Sequence, residues 1–179
     1  KENEFIDVRV HFDGWPTDDE ALLKSDTVVL YSDVAVKNER DHPLLLGRMK
    51  YMGDVVDRGV GLVCLHYTVF VLREKAGAEL LEWIGGYFDY ETGDGPNKWH
   101  TKIETKEFKV FPAKTNHPIL QGIDPFTIRE EFYFNLRFPE EKKHLAPIVT
   151  LDPEKKDWEK VVGWAIERPN GARGFGYTG

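Results

Sequence analysis

The run Gly61-Leu62-Val63-Cys64-Leu65-His66 constrains this chain more than any other feature, because five uncharged residues are followed at once by an imidazole. A short continuous apolar run bounded by glycine is the pattern of a parallel strand covered on both faces; a strand with one wet face would alternate. Asp26-Thr27-Val28-Val29-Leu30-Tyr31 has the same character and is rich in β-branched residues. Between the two runs, Leu45, Met49, Met52 and Val56 recur at spacings of four, three and four, which puts them on one helical face. Asp41 or His42 can cap that helix, Pro43 suits its first turn and Gly59 stops it. Ala78 to Ile84 reads as another helix, closed by Gly85-Gly86. Strand and helix in alternation argue for a mostly parallel sheet with crossover helices.

Upstream, Phe5 to Val10 reads as a strand, Asp13-Gly14-Trp15-Pro16 as a turn, and Asp18-Asp19-Glu20 as the start of a short helix. The second half differs in character. After a loop from Tyr87 to Trp99, the segments Ile103 to Phe111, Thr127 to Phe134 and Val161 to Ile166 read as strands of an antiparallel extension. Pro139 to Lys143 and Asp152 to Lys160 are charge-rich and read as solvated turns or short helices.

Composition excludes several classes of function. Apolar residues at 41% against charged residues at 31% describe a folded chain, not a disordered one. A net charge of −7 with no basic cluster argues against a nucleic-acid partner. Cys64 is the one cysteine, so no internal disulfide or multi-cysteine zinc site can form. No apolar run reaches the roughly 18 residues of a membrane span, and Lys1-Glu2-Asn3-Glu4 has no signal-peptide character. The expectation is a soluble protein, either cytoplasmic or exported after removal of a signal.

The chemistry is expected beyond the carboxyl ends of the parallel strands, where ligands of such sheets bind. His66 stands there, either as an acid, base or metal ligand or as a histidine hydrogen-bonded into the sheet edge. Cys64 lies two residues inside the strand, where a buried thiol is inert. Glu130-Glu131-Phe132-Tyr133 offers two carboxylates and a phenol, but neighbours on a strand face opposite ways, so one carboxylate at most enters a given cleft. His66, His100 and one carboxylate could form a two-histidine, one-carboxylate site for a divalent ion such as zinc. Trp15, Trp99 and Trp158 could stack on a sugar ring or serve packing. His117-Pro118 reads as a turn device.

An ordered set of segments resembles the ThuA-like (trehalose-utilisation) branch of the class I glutamine amidotransferase-like superfamily. It comprises Asp26 to Leu30, Gly59 to His66, Trp83 to Phe88, His117 to Gly122, Glu130 to Tyr133, and Gly163-Trp164 followed by Gly171-Ala172-Arg173. The resemblance implies an α/β, flavodoxin-like three-layer sandwich: a mostly parallel central sheet with helices on both faces, and a β-rich extension in the second half. It implies one such domain over residues 1–179, lacking the family's first strand and its C-terminal end. It places His66 at the elbow where glutaminases carry cysteine, and since His66 stands where a G-x-C-x-G elbow would need glycine, glutaminase activity is not expected. Tyr67-Thr68 depart from the small residues that usually follow this histidine.

The function so implied is a carbohydrate-related enzyme that hydrolyses or isomerises a sugar or keto-sugar. His66 would be acid, base or metal ligand, Glu131 its partner or co-ligand, His100 a second ligand and Tyr133 a hydroxyl donor. The partner would be a small-molecule sugar or sugar derivative, with homo-oligomerisation left open. The alternative is a noncatalytic carbohydrate- or protein-binding module on the same fold.

Overall fold

The computed structural model describes residues 6–12, 14–18, 20–32, 47–89, 99–155 and 157–179. Seven strands form one sheet: β1 Thr27–Ser32, β2 Gly61–His66, β3 Lys102–Pro112, β4 Phe126–Phe134, β5 Leu145–Thr150, β6 Val161–Glu167 and β7 Arg173–Tyr177. Their order is β1-β2-β7-β6-β5-β3-β4. β1, β2 and β7 are parallel neighbours, and every pairing beyond them is antiparallel.

This corrects the expected flavodoxin-like sandwich. The sheet is mixed and curls into a seven-stranded half-barrel. Two α-helices, α1 Met49–Asp57 and α2 Ala78–Trp83, occur among the described residues. One cause is local. Arg168 N–H donates to Ala172 O at 2.8 Å and Gly171 takes φ 81°, which closes a tight hairpin between β6 and β7. A hairpin forces antiparallel pairing, whereas a parallel pair needs a crossover.

A second cause is coverage. Met52, Val55 and Val56 of α1 and Leu80 and Trp83 of α2 pack with Val28, Leu62 and Cys64, the even-numbered face of β1 and β2. Val29 and Tyr31 on the other face remain 58% and 64% exposed. Among the described residues the parallel strands therefore carry helices on one side. A second core, with Phe108, Val110, Phe132, Phe134, Ile148 and Val162, holds the antiparallel half together.

The expected bounds of β1, β2, β3, β4 and β6 hold to within a residue or so. The expected strand Phe5 to Val10 does not form over residues 6–10; Ile6, Val8, Val10 and Phe12 alternate but are 64–83% exposed and pair with no strand. Asp41 to Leu45, expected to start the first helix, lie outside the described residues. No helix among those described is long and apolar enough to cross a membrane.

Candidate functional site

His66 ends β2 at φ 55° and ψ −123°, backbone that residues with a Cβ rarely adopt. Such a conformation costs on the order of 1–3 kcal/mol and persists only where the surroundings enforce it. The enforcement comes from the turn Tyr67–Val69, buried throughout, and from the Thr68 hydroxyl, 2.9 Å from Leu65 O and 3.3 Å from Leu30 O. The departure at Tyr67-Thr68 thus helps to build the elbow.

The imidazole stacks on two phenol rings, with centroids 5.1 Å from Tyr133 and 6.5 Å from Tyr31. Its Nδ1 is 3.3 Å from Thr178 O and its Nε2 is 3.3 Å from the Tyr133 hydroxyl. A carbonyl can only accept, so Nδ1 carries the proton and neutral His66 offers Nε2 as acceptor to the Tyr133 O–H. Thr178 is itself fixed. It is fully buried, its N–H donates to Val162 O at 3.0 Å, and its hydroxyl is 2.9 Å from Tyr133 O.

Tyr133 and Glu131 share one face of β4, as a two-residue separation on a strand requires. Burial, and after it the facing Glu131 carboxylate, push the Tyr133 phenol well above its ordinary range. Glu131 also accepts from the Thr105 hydroxyl at 3.1 Å, its cross-strand partner on β3. When Nε2 of His66 binds a proton it becomes a donor, and the phenol proton is then free to turn toward Glu131. With Thr178 O holding the Nδ1 proton in place, His66, Tyr133 and Glu131 can therefore shift a proton among themselves without moving the backbone.

Beside it opens a cleft of about 620 Å3, walled by Tyr67, Phe70, Phe88, Tyr133, His100 and Ile103, among others. Tyr133 belongs to both features; His66 is behind it, not in the wall. His100 is exposed at the cleft mouth. Asn135, itself at φ 58°, donates to His100 O at 2.8 Å and accepts at its own carbonyl from Trp99 Nε1 at 2.8 Å. Among the described residues no three His, Cys, Asp and Glu side chains converge closely enough to hold a metal ion, so His66, His100 and Glu131 do not make a ready ligand set. Cys64 is fully buried and its thiol is pushed up to about 12 by desolvation.

Two features escaped the sequence reading. Thr178 serves through its backbone carbonyl, which any residue possesses, so no side-chain signal could reveal it. Asp89 is 1% exposed and accepts from Arg73 at 2.7 Å and Arg137 at 2.8 Å, while Arg137 lies 4.2 Å from the centre of the Trp99 ring. This cluster anchors the segment carrying Trp99 and His100 through Asp89 and Thr101: the Thr101 N–H donates to Asp89 O at 3.1 Å and the Asp89 N–H donates to the Thr101 hydroxyl at 3.0 Å. A lone Asp after Tyr87-Phe88 was its one trace. Of the other tryptophans, Trp158 packs edge-on against Phe138 at 4.8 Å and Trp15 against Tyr51 at 6.5 Å.

No protein-family model matches the chain, and no curated protein matches it. Among solved structures it is similar to one from Bacteroides uniformis ATCC 8492 described as ThuA-like, with a TM-score of 0.57 and 15% identity. The match covers 89% of this chain and 61% of that one, so the chain spans about three-fifths of the neighbour's length. At that identity the likeness is one of fold: this chain shares its fold with a ThuA-like structure.

Proposed function

We propose that this protein is an acid–base enzyme acting on a small sugar or keto-sugar, with His66 transferring the proton. The observation that carries the reading is the strained backbone of His66, which holds an imidazole of defined tautomer at the carboxyl end of a parallel strand. In an aldose–ketose interconversion, Nε2 removes the proton α to the carbonyl, leaving an enediol, and returns it to the neighbouring carbon. The Tyr133 hydroxyl, which donates to Nε2 in the resting state, gives its proton to the carbonyl oxygen as negative charge develops there and recovers one from the neighbouring hydroxyl as that carbon becomes the new carbonyl. The aromatic walls Tyr67, Phe70 and Phe88 suit the C–H faces of a sugar ring.

One observation favours a second reading. His66 does not line the cleft, so the cleft could bind a sugar without chemistry. Incubation of pentoses, hexoses and their 2-keto forms in D2O, followed by proton NMR, separates the two. Acid–base chemistry washes deuterium into the carbon α to the carbonyl; His66→Ala then loses about 100-fold or more and Tyr133→Phe about tenfold. Sugars that bind but exchange no carbon-bound proton establish the noncatalytic module, and exchange undiminished in His66→Ala removes His66 from the chemistry.

A further inference from the structure

At the opposite end of the same strands from His66 lies a second cleft, of about 410 Å3, built from the starts of β1, β2 and β7, the end of β6 and the start of β5. Its floor is the sheet face that α1 and α2 do not cover. Val63 is flanked there by Val29 and Phe175, and Ala165 follows Phe175 across the ladder. Its rim is cationic. Lys143 and Arg173 both line it, both are exposed, and neither has an ion-pair partner among the described residues. His117 and His144 stand beside them, and Glu167 is the one carboxylate in the wall.

Two permanent cations facing one carboxylate make an unusual patch on a chain of net charge −7. An apolar floor with unspent cations at its edge selects a ligand with an anionic head and an apolar body. An arginine fork matches a carboxylate in shape, and the volume is that of a small-molecule site. A sugar or free phosphate would leave the floor of Val63, Ala165 and Phe175 unused.

We propose that this cleft binds a small amphipathic carboxylate, its head between Lys143 and Arg173 and its apolar body on Val63, Ala165 and Phe175. The site is separate from the His66 site and does not depend on the reaction proposed there.

The test uses the fluorescent anion 8-anilinonaphthalene-1-sulfonate as reporter, with octanoate and octanol as competitors matched in chain and differing in charge. Saturable reporter binding, displaced by octanoate at least about tenfold better than by octanol, is expected. Octanoate affinity should fall about tenfold in the Lys143→Ala, Arg173→Ala double variant and should weaken as salt is raised. Both side chains are exposed, so circular dichroism of the double variant should match the parent. Equal competition by octanol, unchanged octanoate binding in the double variant, or no saturable binding at all overturns the proposal. So does a concentration-dependent dimer that excludes the reporter, which would assign the face to a second copy of the chain.

Discussion

The backbone at His66 makes a prediction in which the sign of an effect, not only its size, carries the information. At an ordinary strand position glycine is about 0.5–1 kcal/mol less stable than alanine, because its unfolded chain is freer. At φ 55° and ψ −123° the order reverses. An alanine there keeps the Cβ clash, worth about 1–3 kcal/mol, and the glycine does not. His66→Ala and His66→Gly both lose the ring, its stacking on Tyr133 and its contacts to Thr178 and Tyr133, so those losses cancel in the comparison. The glycine variant should then be more stable than the alanine variant by about 1–2 kcal/mol, or roughly 3–6 °C in Tm for a chain of this size. Thermal denaturation of both, backed by urea titration, reads it. An alanine variant as stable as the glycine variant, or more so, would refute the claim that the fold holds His66 in a strained elbow, and with it the observation on which the functional reading rests.

Other outcomes follow from the packing and the charges. Asp89→Asn leaves Arg73 and Arg137 facing a neutral partner and should cost about 3 kcal/mol in urea unfolding with an unchanged m-value. Gly176→Ala places a Cβ 2.2 Å from Cζ2 of Trp164, a fully buried ring whose Nε1 donates to Ile84 O at 2.7 Å, and should destabilise by about 1–3 kcal/mol. Folding should also make the protein sensitive to alkali. Burial raises Cys64 from 9.0 to about 12 and Tyr87 from 10.0 to about 12, so both stay protonated in the native state while the unfolded chain ionises. Stability is therefore present below pH 9 and is lost as pH climbs from there toward 12; Cys64→Ala should move the alkaline midpoint upward in a circular-dichroism titration.

Much of the site was legible in the sequence. A run of apolar residues ending in one polar group gives β2 its bounds and sets His66 at the strand's end, and a two-residue separation puts Glu131 and Tyr133 on one face. Both inferences rest on periodicities that a short peptide already possesses. The inert Cys64 follows from the same run. What periodicity does not contain is the identity of the neighbouring strand. β5 was missed because Pro147 argues against a strand; the sheet accommodates it where the β5–β6 register shifts.

β7 was missed for a related reason. Arg173-Gly174-Phe175-Gly176-Tyr177 carries no strand signal of its own, since glycine weakens a strand taken alone. In the fold each glycine answers a distant group: a Cβ on Gly174 would lie 2.3 Å from Trp83 O, and one on Gly176 would meet the Trp164 indole. Those two glycines let β7 lie between β2 and β6, and the tail leaving β7 carries the Thr178 carbonyl to His66. The sequence by itself determined the bounds of β1, β2, β3, β4 and β6 and the side chains that stand at their ends, because those are local patterns of hydrophobicity. Strand order and direction, the elbow's strain and the partner that sets the histidine's tautomer were decided by tertiary structure, because each depends on atoms brought together from positions as far apart as His66 and Thr178.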